Sequence, residues 1–388
     1  MYHTALLFQP IHALDFPKVS SYLAALSKEK KSRHFPDTLC PDLHIYPLYD
    51  KYGIIIMLRR TRLKDSNRAN SNGRGVEVDS QGIYYHAIEI RLNPKVLIQE
   101  NEYVKVARAS DYNDIRGQFK KVLKPIQKLF EGNPSHEIYR FNELSEYQVK
   151  RFDYCINIRT ELHEVYMGLI KRADVPARFI VMSELDEKTG RRKSYDQSFY
   201  LQTKKHSVGI NFYNKQYQMY KDFEDYERLE DACNIIRLEI QCLAGKTNSM
   251  KQKHEWKYRD FINFANDDIS RKMIYDYYEK TVGFEDYYTL EEAKRRVLSF
   301  KVHRNKTKAK IVEVLELVNQ KRSIHKARLE YSDELSDKKA VTEFNSVIKI
   351  IKKSGTNPVT IPVNWGYSHI PNLVEEMDKE FTQLLRVV

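Results

Sequence analysis

The chain is 388 residues long, 41% hydrophobic and 30% charged, which is enough apolar material for a buried core and rules out wholesale disorder. Sixty-five Lys and Arg against fifty-three Asp and Glu give a net charge of +12, which suits a polyanionic partner, nucleic acid above all; a Lys-rich soluble surface has the same arithmetic. No apolar run approaches the roughly 18 residues of a bilayer span. Residues 1–10 lack a secretory pattern, and Cys40, Cys155, Cys233 and Cys242 lack CxxC spacing, so a reduced cytoplasmic protein is expected.

In chain order, helical spacing covers residues 16–31. Strand-like runs follow at 44–49 and 53–58, joined by the turn Asp50-Lys51-Tyr52-Gly53. Residues 62–82 are polar and glycine-punctuated and read as a mobile loop suited to lie over DNA. A strand is expected over 84–92, stopped by Asn93-Pro94, then a helix over 114–131, a strand over 149–158 and a helix over 161–172. A polar connection at 183–195 leads to strands over 198–203, 207–215 and 235–243, with helical spacing at 216–232. Beyond Gly245 the pattern is helical, over 257–279 and in several stretches of 289–353. The expected fold is α+β. An antiparallel-sheet domain would occupy residues 1–250 and a mainly helical, basic domain 251–388, with the boundary near 245–255.

The strands alternate. Phe152, Tyr154, Ile156 and Ile158 oppose Arg151, Asp153, Cys155 and Asn157; Ile236, Leu238 and Ile240 oppose Arg237, Glu239 and Gln241. Ile88, Ile90 and Leu92 oppose Tyr85, Ala87, Glu89 and Arg91, and Val208, Ile210 and Phe212 oppose Gly209, Asn211, Tyr213 and Lys215. An antiparallel sheet with one packed and one polar face produces this pattern, and an ordinary solvated face produces it too. The mid-strand carboxylates Glu89, Asp153 and Glu239 favour a working face. Convergent carboxylates are what Mg²⁺ or Mn²⁺ requires, and the neighbouring arginines keep them ionised and can hold phosphate. A phenol on such a face can attack a phosphodiester if activated. Tyr200, followed by Lys204, Lys205 and His206, has the cationic turn this needs; Tyr195, Tyr213 and Tyr217 compete with it.

At these residues the chain resembles the replication initiators of rolling-circle plasmids and the related relaxases of conjugative elements, and more loosely the gene II-type initiators of filamentous phages. The matching pieces occur in order between about residues 84 and 245. They are Ile88-Glu89-Ile90-Arg91-Leu92-Asn93-Pro94, Val149-Lys150-Arg151-Phe152-Asp153, Phe199-Tyr200-Leu201 with Val208 to Lys215, and Ile236-Arg237-Leu238-Glu239-Ile240. The His-hydrophobic-His pair of the wider superfamily is absent, as it is from plasmid-type members. The resemblance implies a metal-dependent, sequence-specific endonuclease that nicks one strand at an origin or transfer origin, single-stranded or cruciform at the nick. A tyrosine would stay on the 5′-phosphate and free a 3′-OH. Carried over, Tyr200 is the nucleophile and Lys215 a phosphate contact. Asp153 and Glu239 are metal ligands with Glu89 a third. Beside that carry-over, the basic side chains Arg151, Arg237, Lys204 and Lys205 are expected to contact DNA. Members often act as homodimers and work with a host helicase.

The C-terminal part adds Lys and Arg at helical spacing over 291–330, including Arg295, Arg296 and Lys308, which read as a DNA-binding face or as a solvated one. There is no GxxxxGK[ST] loop and no Ser/His/Asp elbow, so neither an ATPase nor a serine hydrolase is expected. The alternative to a nicking enzyme is a non-catalytic DNA-binding initiator or repressor on the same scaffold.

Overall fold

The computed structural model describes residues 1–30, 35–37, 40–63, 76–79, 82–129, 131, 139–185, 192–193, 195–222, 229–300 and 304–382. The fold is α+β, with a large antiparallel sheet and a C-terminal part that is mostly helical. The chain divides into two compact units, residues 1–155 with 241–270 and residues 156–240 with 271–388. The boundary expected at 245–255 coincides with helix Ala244–Lys253, inside the first unit.

The first unit contains β1 (Tyr2–Pro10), β2 (Phe35–Asp37), β3 (Cys40–Tyr49), β4 (Ile54–Leu63), β5 (Val76–Asp79), β6 (Gly82–Leu92) and most of β7 (Gln148–Arg159). Its strand order is β2-β3-β4-β6-β1-β7, with β5 on β6. The β3–β4 connection is a tight 3-10 turn closed by Gly53 at φ +68°. A Cβ there would stand 2.7 Å from the Asn93 carbonyl oxygen, so both the backbone angle and the close approach demand glycine. Asn93 ends β6 and caps helix Pro94–Ile98, its Oδ1 accepting from Val96 N, with Pro94 opening the helix as its fixed φ allows.

The first strand, β1, lies between β6 and β7 and pairs antiparallel with both: Ala5 stands opposite Leu92 on one side and Phe152 on the other. The sequence reading gave residues 2–10 no element. Phe152 is fully buried, its ring 5.1 Å from those of Tyr2 and Tyr154 and 5.5 Å from Phe261 and Phe264. The helix expected over 114–131 divides into Tyr112–Val122 and Lys124–Lys128, since Pro125 lacks the amide hydrogen that would continue it. Of the loop expected over 62–82, residues 64–75 and 80–81 lie outside the described residues, while 76–79 form β5.

The second unit takes the end of β7, then β8 (Phe179–Val181), a short ladder of β9 (Glu184–Leu185) with β10 (Arg192–Lys193), β11 (Ser198–Thr203), β12 (Val208–Asn214) and β13 (Ile235–Cys242). The sheet order here is β7-β13-β12-β11-β8. β11 and β12 form a hairpin in register Ser198↔Tyr213, Tyr200↔Asn211 and Gln202↔Gly209. Its turn is held by Thr203 Oγ1, which accepts from the amides of Ser207 and Val208. The helices Asn305–Lys321 and Lys338–Lys353 bury stripes of Ile311, Val314, Leu315 and Val318, and of Phe344, Val347, Ile348 and Ile351.

One expectation is corrected. The polar face of the central strands is not open: Asp153, Glu89, Arg237, Glu239 and Lys215 are all buried. Alternation reports which residues share a face, but not whether that face meets water. Here the buried polar side chains are partnered, which is what makes their burial tolerable. Among the described residues no helix is long and apolar enough to cross a membrane. None of Cys155, Cys233 and Cys242 is in a disulfide, and burial pushes the Cys242 thiol up to about 12.

Candidate active site

The β11–β12 hairpin sets the candidate site. Side chains two apart on a strand share a face, and the register aligns the two strands, so Tyr200, Asn211 and Tyr213 stand on one face of the hairpin. Tyr213 is buried, and its hydroxyl donates to Glu239 Oε2 at 3.4 Å. Both residues line a cavity of about 290 Å³, together with Tyr195, Asn211, Tyr217 and Lys221. Tyr200, the expected nucleophile, is half-buried and lies directly across from Asn211, outside the set that lines the cavity.

The end of β12 turns into helix Lys215–Asp222. Asn214 organises the turn: its amide donates to the Gln197 carbonyl at 3.0 Å, and its Oδ1 accepts from the Tyr217 amide at 3.1 Å, as an N-cap side chain does. Lys215, read from the sequence as the last residue of the strand, is therefore the first of the helix. It is 2% exposed, and its Nζ donates to Gln218 Oε1 at 2.6 Å. On β13, Arg237 is fully buried with its Nε donating to Asn157 Oδ1 at 2.8 Å, so its guanidinium supports the strand two residues before Glu239.

The other expected metal ligands belong to the first unit. Arg151 grips Asp153 with both ends of its guanidinium, Nε to Oδ1 at 2.8 Å and Nη2 to Oδ2 at 2.7 Å. Glu89 sits between Lys150 Nζ at 2.7 Å and Arg59 Nε at 3.1 Å. Among the described residues no three His, Cys, Asp or Glu side chains gather to hold a metal ion. The charges of Glu89 and Asp153 are already met by arginine and lysine.

The basic residues divide into two kinds. Lys204 and Lys205 are exposed at the hairpin tip, on the cationic turn read from the sequence. Much of the C-terminal cationic run is internally neutralised: Lys294 pairs with Glu291 and Glu316, Arg295 with Glu292, Lys310 with Glu343, Lys321 with Glu330, and Arg328 with Asp174. Arg296 lies over the Tyr288 ring at 4.2 Å, and Lys308 is half-exposed on its helix. Sequence reasoning gave no role to Lys221, Gln218 or Asp196. The signal that could have found them is Asn214 three residues ahead of Tyr217, a helix-start pattern directly after a strand.

No family model and no curated protein matches the chain. A solved structure of the rolling circle replication initiator protein from Geobacillus stearothermophilus superposes with a TM-score of 0.30 at 10% identity, covering 72% of this chain and 84% of that one. A likeness that loose bears on neither fold nor function.

Proposed function

We propose that the chain nicks and rejoins single-stranded DNA through a tyrosine, initiating rolling-circle replication or mobilisation of the element that carries it. The observation that carries this reading is the Tyr213–Glu239 pair on the wall of the cavity. A phenol is a poor nucleophile until a base takes its proton, and Glu239 is the carboxylate within reach. Tyr213 Oη attacks phosphorus and passes its proton to Glu239. The P–O3′ bond breaks, the departing 3′-oxygen takes a proton from solvent, and the 5′-phosphate stays on the phenol. Lys221 at the cavity and Lys204 and Lys205 at the hairpin tip supply positive charge for the strand. Tyr200, on the same face, is the second candidate nucleophile.

The test is to incubate the full chain with labelled single strands tiling the DNA around its own gene, with Mg²⁺ or Mn²⁺ and with EDTA, and to look for adducts that survive denaturing gels. Wild type is expected to form an adduct whose peptide mass places the DNA on Tyr213, and Tyr213→Phe to form none. An adduct on Tyr200 would keep the nicking activity and move the nucleophile. Specific gel-shift binding with no adduct under any condition would overturn nicking in favour of the non-catalytic DNA-binding protein.

A further inference from the structure

Asn211 occupies the middle of β12 and contributes to the cavity wall. Its Oδ1 is buried there without a hydrogen-bond partner among the described residues. A buried acceptor left unpaired is costly, so this oxygen asks for a donor from whatever enters. Asp196 and Glu239 line the same cavity, so that part of its wall is rich in acceptors. Lys221, on the same wall, leaves a place for the strand's phosphate, whereas beside Asn211 and the two acidic residues a neutral ring that carries N–H donors is favoured. Tyr195 and Tyr217 bring aromatic rings to the cavity, and aromatic side chains are the usual platforms for unstacked bases. At about 290 Å³ the space is at the small end for organic ligands, fit for one heterocycle rather than a stacked run.

We infer that this cavity receives a single unstacked nucleobase bearing an exocyclic amine, read by Asn211, from the DNA strand that passes Tyr213. Cytosine, adenine and guanine each present an amine; thymine presents none, and its one ring donor, N3–H, is flanked by two carbonyl oxygens that a wall rich in acceptors disfavours. The inference rests on the proposed function only in placing single-stranded DNA on this face. It gives the site a base preference beside the point of attack.

Fluorescence anisotropy with labelled oligo(dC) and oligo(dT) tests it on the full-length chain, because the two pyrimidine strands differ little in stacking. Wild type is expected to bind oligo(dC) about tenfold more tightly than oligo(dT), the range of one good base contact. Asn211→Ala is expected to bring the two within about twofold, mainly by weakening oligo(dC). Asn211→Asp has the same shape and keeps the acceptor, so it should retain the preference and show that loss in Asn211→Ala is not misfolding. Equal wild-type affinities, no binding of any strand, or a preference intact in Asn211→Ala would each overturn the inference. Discrimination of oligo(dC) by a chain that forms no adduct would leave this inference standing while the nicking reading falls.

Discussion

Replacing Asn157 by leucine keeps the number and branching of the side-chain heavy atoms and removes an oxygen that accepts from a fully buried arginine. The bond concerned is Arg237 Nε to Asn157 Oδ1 at 2.8 Å, with Arg237 0% exposed and Asn157 6% exposed. A hydrogen bond to a charged group is worth about 1.5–3 kcal/mol, and water cannot replace the lost acceptor at a site this closed. The second unit has roughly two hundred residues, for which 1 kcal/mol moves the melting temperature by about 2–4 °C. Asn157→Leu should therefore lower the melting temperature of that unit by about 3–12 °C. The companion Arg237→Met removes the charge itself. In the double variant no guanidinium is left short of an acceptor, so the double should be less destabilised than the sum of the singles by more than about 1 kcal/mol. Differential scanning calorimetry of wild type, both singles and the double closes the cycle. Additive losses, or an Asn157→Leu melting temperature within about 1 °C of wild type, would refute the view that this bond supports β13 beside Glu239.

Three other predictions test separate parts of the molecule. Glu239→Gln removes the proton acceptor from Tyr213 and should slow single-turnover adduct formation by roughly 10²–10⁴-fold, the usual worth of a general base; an unchanged rate would remove Glu239 from the chemistry. Gly168→Ala puts a Cβ 2.7 Å from Trp365 Cη2, an overpacking cost of about 1–3 kcal/mol that outweighs the roughly 1 kcal/mol gained in helix propensity. Denaturant melts read by tryptophan emission should show the loss, and a more stable variant would contradict it. Burial, and then the neighbouring Arg328, holds the His325 imidazole below its ordinary 6.5 despite the pull of Asp174. The unfolded chain therefore binds the proton first: this residue's contribution to stability is intact above about pH 6.5 and is lost as pH falls through the lowered folded value. His325→Leu should flatten the fall in melting temperature between about pH 7 and pH 5, and an unchanged slope would show that the titration lies elsewhere.

Local pattern carried a large share of the fold. Alternating residues marked β6, β7, β12 and β13, Asn93-Pro94 marked a strand end that is also a helix start, and Asp50 to Gly53 marked a turn whose geometry requires the glycine. These signals are legible because strand period, capping and positive φ are properties of a few consecutive residues. The pattern also named Tyr200, Tyr213, Lys215 and Glu239 as residues of one polar face, without saying which would meet.

Tertiary structure decided the rest. β1 reads as nothing in particular until it is placed between β6 and β7, since its two partners lie some eighty and one hundred and fifty residues away. A buried carboxylate and a solvated one look alike in sequence; only the fold shows Asp153 held by Arg151, Glu89 between Arg59 and Lys150, and Glu239 beneath a phenol twenty-six residues earlier in the chain. The cationic C-terminal run likewise loses much of its apparent charge to partners such as Asp174, 154 residues from Arg328. Composition and periodicity set which side chains were available and which way each would face. Which of them touch is settled by non-local packing, because the cost of burying a charge is met by whichever opposite group the fold brings to it.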